Sequence, residues 1–406
     1  MRYLLKMTLL LLLFLLLLLA VATLWLWPRY SYLPPVQPGF EVQRMSGNPA
    51  VSSDLNPRLQ AENSEGGYVN INGPSVIRVP DWVENPLGSY YLYFAHHKGD
   101  YIRMAYADAP IGPWTLYEPG TLRLRDSGFQ QERADPTVGN RGLEDLWATF
   151  SLHVVRDYLL LAYRATVSDQ AVRKRRGIEV AANARPHIAS PEVVVDEGNQ
   201  RILMYFHGLG RNGYQHSRIA RSHDGIDFEV LDADVFSTYL RAFAYRGEYF
   251  LLGMPGVLYR SSTLDGGFTP RDRLLFDPDM RHAAVWVEGS LLHVLWSRVG
   301  DAPEVLLYSR VDMSSADWND WRATAGVEIM RPELAWEGSE LPVLPSLRGE
   351  LDLASHELRD PYVLRDGDGG LYLYYVGAGE QAIGVARLGD DQSSTSSHSP
   401  SNTSSL

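Results

Sequence analysis

Side chains that can transfer protons or bind oxygen-rich ligands stand at the start of several short apolar segments. They are Glu192, Arg241, His282, Arg359 and Asp360. Carboxylates and imidazoles act as general acids and bases, whereas guanidinium groups bind carboxylate, phosphate or hydroxyl oxygens. A fold that gathered these five residues would place both signs of charge in one concavity. Such a site suits a polyhydroxylated ligand, although ion pairs joining neighbouring strands would use the same residues.

The apolar segments belong to a module that the chain repeats five times. Its clearest copy, residues 88–114, contains an aromatic strand (90–94), a polar turn and a second strand (101–107). Both strands are rich in residues that favour β-structure. The later copies are residues 199–229, 246–268, 288–318 and 369–388.

Another short strand precedes each module, at residues 74–77, 191–194, 241–244, 282–285 and 360–363. Three strands are therefore visible in each repeat, and the variable connection can supply a fourth. Four-stranded sheets repeated around an axis form a β-propeller. The sequence predicts an all-β, five-bladed propeller, in which the first residues of the innermost strands face a common funnel. A β-sandwich does not predict strand triplets with recurring turns, and a β-helix would have shorter, more regular rungs.

The N-terminus predicts a membrane anchor. After a short cytoplasmic segment (1–6) that contains Arg2 and Lys6, residues 7–27 form an apolar run long enough to cross a bilayer. A cleaved signal peptide is the alternative, since Ala20-Val21-Ala22 resembles a cleavage site. In either case, the positive N-terminal charge predicts a propeller on the extracytoplasmic side, tethered to the membrane by a single pass if the run is not cleaved.

Composition changes mark the remaining boundaries. Residues 28–63 are expected to form a stalk with an initial strand, residues 64–388 the propeller, and residues 389–406 a disordered Ser-rich tail. Residues 118–186 interrupt the repeats. Within them, 144–164 fit either a helix or two strands, and 173–176 form a basic cluster.

Composition also limits the chemistry. The chain has 406 residues, 45% of them apolar, and a net charge of −12, which argues against nucleic acid as a partner. The absence of cysteine excludes disulfides, thiol nucleophiles and thiolate metal sites. Residues 366–370 resemble part of a calcium loop but lack its final glutamate, so they predict a hairpin turn. We expect neither a cofactor nor a metal.

The five modules, the Pro74-Ser75-Val76-Ile77 strand, the Tyr90–Phe94 strand with its following histidines and the Gly112-Pro113-Trp114 end resemble glycoside hydrolase family 43 and related five-bladed furanosidases. The resemblance covers roughly residues 70–388. It implies a funnel-shaped sugar site with two carboxylates, an acid and a base. Members of that family place the base directly before the Pro-Ser pair, where this chain has Gly73 after Asn72.

Carried over to this chain, the resemblance makes Glu192 and Asp360 the expected carboxylates, with Glu192 favoured as the acid. His187 or His282 can carry protons or orient a hydroxyl group instead. The expected substrate contacts come from the other polar residues at strand starts and from nearby rings. They are Asn72, Trp82, His97, His207, Arg241, Arg281 and Arg359.

The function class stays open at this point. A glycosidase-like enzyme is the first hypothesis, and a propeller that binds sugars or scaffolds without catalysis is the second, because Gly73 replaces the base. A related phosphorylase would need a phosphate pocket, for which Arg241 and Arg281 are candidates. A propeller that binds only proteins is a further alternative. The sequence leaves the oligomeric state undetermined.

Overall fold

The computed structural model describes residues 6–7, 11–19, 32–60, 70–97, 99–132, 149–164, 186–210, 214–349, 351 and 353–390. Of the predicted anchor over 7–27, residues 8–10 and 20–27 lie outside these ranges, and the basic cluster 173–176 and tail residues 391–406 lie wholly outside them. Among the described residues, no helix has both the length and the apolar character to span a membrane.

Five antiparallel sheets form the fold, and each is built from strands that are consecutive along the chain except where the N-terminus joins the last one. The N-terminal segment contains β1 (Phe40–Arg44) and β2 (Val51–Ser52). The first blade contains β3 (Asn72–Arg78), β4 (Tyr90–Ala95), β5 (Arg103–Ala107) and β6 (Thr115–Tyr117). The second contains β7 (Ile188–Asp196), β8 (Arg201–Leu209), β9 (Gln215–Ser222) and β10 (Glu229–Val235).

The third blade contains β11 (Thr238–Tyr245), β12 (Glu248–Met254), β13 (Val257–Ser261) and β14 (Thr269–Pro270). The fourth contains β15 (Met280–Glu288), β16 (Leu291–Arg298), β17 (Leu306–Asp312) and β18 (Val327–Met330). The fifth contains β19 (Arg359–Arg365), β20 (Leu371–Gly377) and β21 (Ala382–Asp390), with β1 as its outer strand.

The first strands of the five blades adjoin one another in the order β3, β7, β11, β15, β19 and then β3 again. This closed ring confirms the five-bladed propeller. One apolar cluster fills each of the five interfaces between neighbouring blades, with Tyr93 and Met204 in the first and Tyr205 and Tyr259 in the second. Burial of these large side chains between sheets supplies the main driving force for folding.

The two ambiguous segments are resolved. Part of the 144–164 stretch forms helix α1 (Leu152–Arg164), and its Val154 and Val155 are buried in the cluster between the second and third blades. Residues 366–370 form the predicted hairpin turn between β19 and β20, in which Asp366 N–H donates to the carbonyl of Gly370.

The N-terminal segment closes the ring. The stretch predicted as a stalk with an initial strand supplies β1, which pairs with β21, so the fifth blade is made from both ends of the chain. Arg44 at the end of β1 donates to the carboxylate of Glu337, 2.7 Å away, and Tyr375 donates its hydroxyl proton to the same carboxylate. The side chain of Glu337 is fully buried. Burial by itself would raise the pKa of Glu337, but Arg44 and the other donors hold it below its usual value.

We predict that Arg44→Met lowers the free energy of unfolding by roughly 3 kcal/mol, because it leaves the buried Glu337 carboxylate without its cation. Urea unfolding of the purified chain measures the change. The control is Arg331→Ala, which removes an exposed, solvent-screened pair with Glu328 and should change the free energy of unfolding far less. Equal effects of the two substitutions would show that β1 does not close the ring through Glu337.

Candidate functional site

The funnel is the end of the central axis at which the first strands of the five blades begin. A β-bulge near the start of each of these strands shapes it. In all five blades the pairing with the second strand gains one extra residue at this point. In four blades the bulge contains a residue with positive φ: Gly73 (+59°), Ser190 (+48°), Tyr239 (+53°) and Asp360 (+47°). Left-handed backbone is strained for residues other than glycine, most of all for a bulky tyrosine. The bulges interrupt the side-chain alternation of the strands and so change which residues point to the axis.

Arg241 of β11 forms the floor of the funnel. Its guanidinium group donates to a backbone carbonyl in the first strand of every other blade. These acceptors are Ala283 at 2.7 Å, Pro74 at 3.2 Å, Pro191 at 3.3 Å and Pro361 at 3.4 Å. One side chain therefore ties the five blades together at the axis.

Glu192 is the counter-ion of Arg241. One carboxylate oxygen accepts from Arg241 at 2.9 Å, and the other accepts from the backbone N–H of Ala242 at 2.9 Å. Burial raises the pKa of Glu192 above its usual value, although Arg241 and Ala242 act in the opposite direction. Both oxygens of the expected acid are thus held by donors at the floor.

A chain of polar side chains runs from Glu380 to the axis. His97 Nδ1 lies 2.9 Å from the Glu380 carboxylate, and His97 Nε2 lies 2.6 Å from the Tyr239 hydroxyl oxygen. Asn72 Nδ2 lies 3.0 Å from the same Nδ1 atom. Burial would raise the pKa of Glu380, but His97, Arg359 and Arg281 outweigh it and lower that pKa to about 2. Glu380 is therefore ionised near pH 7. Of the sequence neighbours His96 and His97, it is His97 that joins the site.

Arg359 and Arg281 pair with further buried carboxylates. Arg359 donates to Glu357 at 2.8 Å and to Glu380 at 3.2 Å. Arg281 donates to Glu304 at 2.7 Å and also bonds the carbonyl of Leu347 in the loop that precedes β19. Both guanidinium groups are thus engaged by protein acceptors.

Asp360 and His282 form a second carboxylate–imidazole pair. One oxygen of Asp360 accepts the backbone N–H of Gly73 at 2.9 Å, and the other is in direct contact with His282 Nδ1. Burial lowers the pKa of His282 well below its usual value, and the positive charges of Arg281 and Arg359 lower it further. The imidazole of His282 is therefore neutral near pH 7.

Gly73, which directly precedes the Pro74-Ser75 pair, has no room for a side chain. A Cβ there would lie 2.9 Å from Cα of Ser190, and φ is +59°. What this position contributes is the N–H that holds Asp360.

Tyr239 lies at the centre of three imidazoles. Its ring centroid is 4.0 Å from that of His282 and 4.7 Å from that of His207, and its hydroxyl contacts His97. The imidazoles are buried, whereas Tyr239 is partly exposed. We call Tyr239, His97, Glu380, His282 and Asp360 the polar cluster.

His207 and His187 extend the polar cluster on one side, with ring centroids 5.6 Å apart. Neither ring nitrogen of the fully buried His207 has a hydrogen-bond partner within the described part of the chain. In the strand pairing His207 corresponds to Ala95, because Asn72 faces Ala95 and Ala189 faces His207. His207 and His97 thus reach Tyr239 from different positions of their modules.

Trp82 does not join the other predicted residues. It follows the far end of β3, and its Nε1 donates at 2.8 Å to Glu197, which follows the far end of β7. This places Trp82 at the end of the propeller opposite the funnel. The remaining predicted residues are at the funnel or its floor.

Sequence reasoning missed Tyr239 and Glu380. Tyr239 stands before the Leu240-Arg241 pair, where strand alternation gave no reason to choose it. Glu380 follows Gly377-Ala378-Gly379 in the turn after β20. The corresponding turn of the first blade carries His97, so comparison of the turns after the second strands would have identified Glu380.

Comparisons with known proteins place the fold. No protein-family model matches the chain. It is 31% identical over 346 residues to the uncharacterized protein R118 of Acanthamoeba polyphaga mimivirus, a match that covers 79% of this chain and 84% of that protein.

Solved structures share the architecture at low identity. A glycosyl hydrolase from Bacteroides ovatus has a TM-score of 0.51 and 11% identity, over 89% of this chain and 96% of that one. A second structure, with a TM-score of 0.50 and 14% identity over 88% and 96%, represents the GH130 family of mannoside phosphorylases, described as containing glycoside hydrolases that target β-1,2 mannosidic linkages in Candida mannan. The expected likeness to glycoside hydrolase propellers is confirmed for the fold.

We predict that Arg241→Met lowers the free energy of unfolding by about 3–5 kcal/mol, because it leaves the buried Glu192 unpaired. The double variant Arg241→Met/Glu192→Gln should regain part of this loss, since no unpaired charge is left. Urea unfolding of both variants and of Glu192→Gln completes the cycle. A double variant no more stable than Arg241→Met would contradict the pairing at the floor.

Proposed function

The chain belongs to the same protein family as R118, and we propose that it is a carbohydrate-processing enzyme of glycoside hydrolase type with its active site at the funnel. The observation that carries the proposal is the Asp360–His282 pair, a carboxylate and a neutral imidazole in contact beside the axis. The fold supports it, because glycoside hydrolase propellers share the architecture, while the chemistry has to come from the site itself.

In our proposal this pair acts as a general base in which the Asp360 carboxylate is the acceptor of the His282 Nδ1 proton. A carboxylate that accepts from Nδ1–H fixes the tautomer of the imidazole and leaves the lone pair on Nε2. Nε2 of His282 forms no hydrogen bond within the described residues. In our proposal it takes a proton from the water that attacks the anomeric carbon, and Asp360 orients the ring and stabilises the imidazolium that forms.

The proposal gives Glu192 a supporting role. Both of its oxygens accept hydrogen bonds from the floor, so its proton would have no free path to a glycosidic oxygen. Glu192 keeps Arg241 in place, and Arg241 keeps the first strands at the spacing that the funnel requires.

Phosphorolysis is the second candidate reaction, since a structure from a family of mannoside phosphorylases shares the fold. The arginines considered for phosphate, Arg241 and Arg281, are bonded to Glu192 and Glu304. Because both guanidinium groups are paired with carboxylates, we favour water over phosphate as the acceptor of the glycosyl group. Assays with and without inorganic phosphate separate the two reactions, because phosphorolysis yields a sugar phosphate.

The first test is a panel of 4-nitrophenyl and 2,4-dinitrophenyl glycosides of common hexoses and pentoses. We expect the purified full-length chain to release nitrophenol from at least one sugar. Release from none of them, with or without phosphate, would favour a propeller that binds sugars without cleaving them.

We predict that Asp360→Asn lowers kcat on the active glycoside by about 10²–10⁴-fold, because the neutral amide no longer orients and stabilises His282. KM should change little. The matched control is Asp366→Asn, in the turn at the far end of β19, which should leave kcat unchanged. If Asp360→Asn kept the kcat of the wild type, the Asp360–His282 pair would be excluded as the general base.

We also propose that residues 7–27 anchor the protein in a membrane with the propeller on the extracytoplasmic side. The apolar run and the preceding positive charges support this assignment. Replacing Leu13 and Leu16 with Arg should move the protein from the alkaline-carbonate-resistant membrane pellet to the soluble fraction. Complete extraction of the unaltered chain by carbonate would contradict the anchor.

A further inference from the structure

We propose that Tyr239 is the general acid of this site and that the Glu380–His97 pair keeps its hydroxyl proton available for the departing glycosidic oxygen. The inference rests on the proposed glycoside cleavage and extends it. It assigns the second proton transfer to a phenol, where the resemblance implies a carboxylic acid.

The order of donors and acceptors follows from the charge of Glu380. Because its pKa is lowered to about 2, its carboxylate can only accept, so His97 Nδ1–H must be the donor. The adjacent negative charge also favours a second proton on the imidazole. We infer that this proton is on Nε2 and is donated to the Tyr239 oxygen, which lies 2.6 Å from Nε2.

This direction decides where the tyrosine proton points. A neutral His97 would accept the phenolic proton and keep it inside the protein. The imidazolium instead donates to the phenolic oxygen, so the O–H bond is not held by His97 and can turn from its other neighbour, Ser190, towards a ligand. The same N–H···O bond then stabilises the phenolate after the proton has left.

Tyr239 is placed to meet a ligand. It is partly exposed, whereas His97, His207 and His282 around it are buried. Its φ of +53° is rare for a tyrosine, and such strain persists where the surrounding structure enforces it. Burial and the charge of Glu380 raise the pKa of Tyr239, so the phenol holds its proton near pH 7, and the N–H···O bond from His97 has to offset this rise when the proton is released.

Tyr239 and His282 together account for each proton that moves in the reaction. The bond between the anomeric carbon and the leaving oxygen breaks as the Tyr239 proton moves to that oxygen. Water forms the new bond to the anomeric carbon and gives its proton to His282 Nε2. The imidazolium of His282 then returns one proton to the phenolate through solvent, which restores both groups. The net reaction consumes one glycoside and one water and yields one sugar and one alcohol.

The test measures how the effect of a Tyr239 substitution on kcat/KM depends on the leaving group of the glycoside. A 2,4-dinitrophenolate leaves without protonation, whereas a 4-methoxyphenolate needs an acid. For the sugar identified by the panel, Tyr239→Phe should lower kcat/KM on the 4-methoxyphenyl glycoside by about 100-fold or more. It should lower kcat/KM on the 2,4-dinitrophenyl glycoside by less than about threefold. The control Tyr90→Phe, which removes a hydroxyl bonded to Asp366, should change neither.

A purely structural role would give a different pattern. Equal losses on the two glycosides, with the wild type cleaving both, would overturn the assignment of Tyr239 and leave the proposed function standing. A wild type that cleaves no glycoside would overturn the proposed function and the inference together. If Tyr239→Phe does not fold, His97→Gln takes its place in the test. It removes the imidazolium, so it should lower kcat/KM on the 4-methoxyphenyl glycoside and leave kcat/KM on the 2,4-dinitrophenyl glycoside nearly unchanged.

Discussion

The guanidinium group of Arg241 is the contact on which the arrangement of the blades depends. It joins the first strand of its own blade to backbone carbonyls in the other four, and Glu192 neutralises its charge. Buried backbone carbonyls left without a hydrogen-bond donor are costly. A planar group with five donors satisfies several of them at once.

The bulges above this floor determine which side chains are available for chemistry. In a regular strand the adjacent residues Arg359 and Asp360 would point to opposite faces. The left-handed residue at Asp360 breaks the alternation, so Arg359 pairs with Glu380 while Asp360 contacts His282. The same geometry turns Tyr239 to the axis. The bulges at Tyr239 and Asp360 thus cost regular pairing, and each adds a side chain to the polar cluster.

The polar cluster draws its charged groups from several blades. Gly73 has no room for a side chain, and its N–H holds Asp360 from a different blade. Two carboxylate–imidazole pairs contact Tyr239, one through Glu380 and His97 and one through Asp360 and His282. Environment separates their roles, because His97 is paired with a permanent anion while His282 is surrounded by arginines.

The sequence by itself determined the fold. Strand-forming runs with recurring turns specify local structure, and five copies of one module leave few ways to bury five apolar faces. It also singled out Asp360, His282 and Arg241 as candidates, because ionisable residues at strand starts are unusual, and His97 as one of the two histidines that follow the second strand of the first module. The tertiary structure alone decided that Arg241 and Glu192 form the floor, that Trp82 lies at the far end, and that Tyr239 and Glu380 complete the site. The physical reason is that these assignments depend on the bulges and on pairing between blades distant in sequence, which no local pattern encodes.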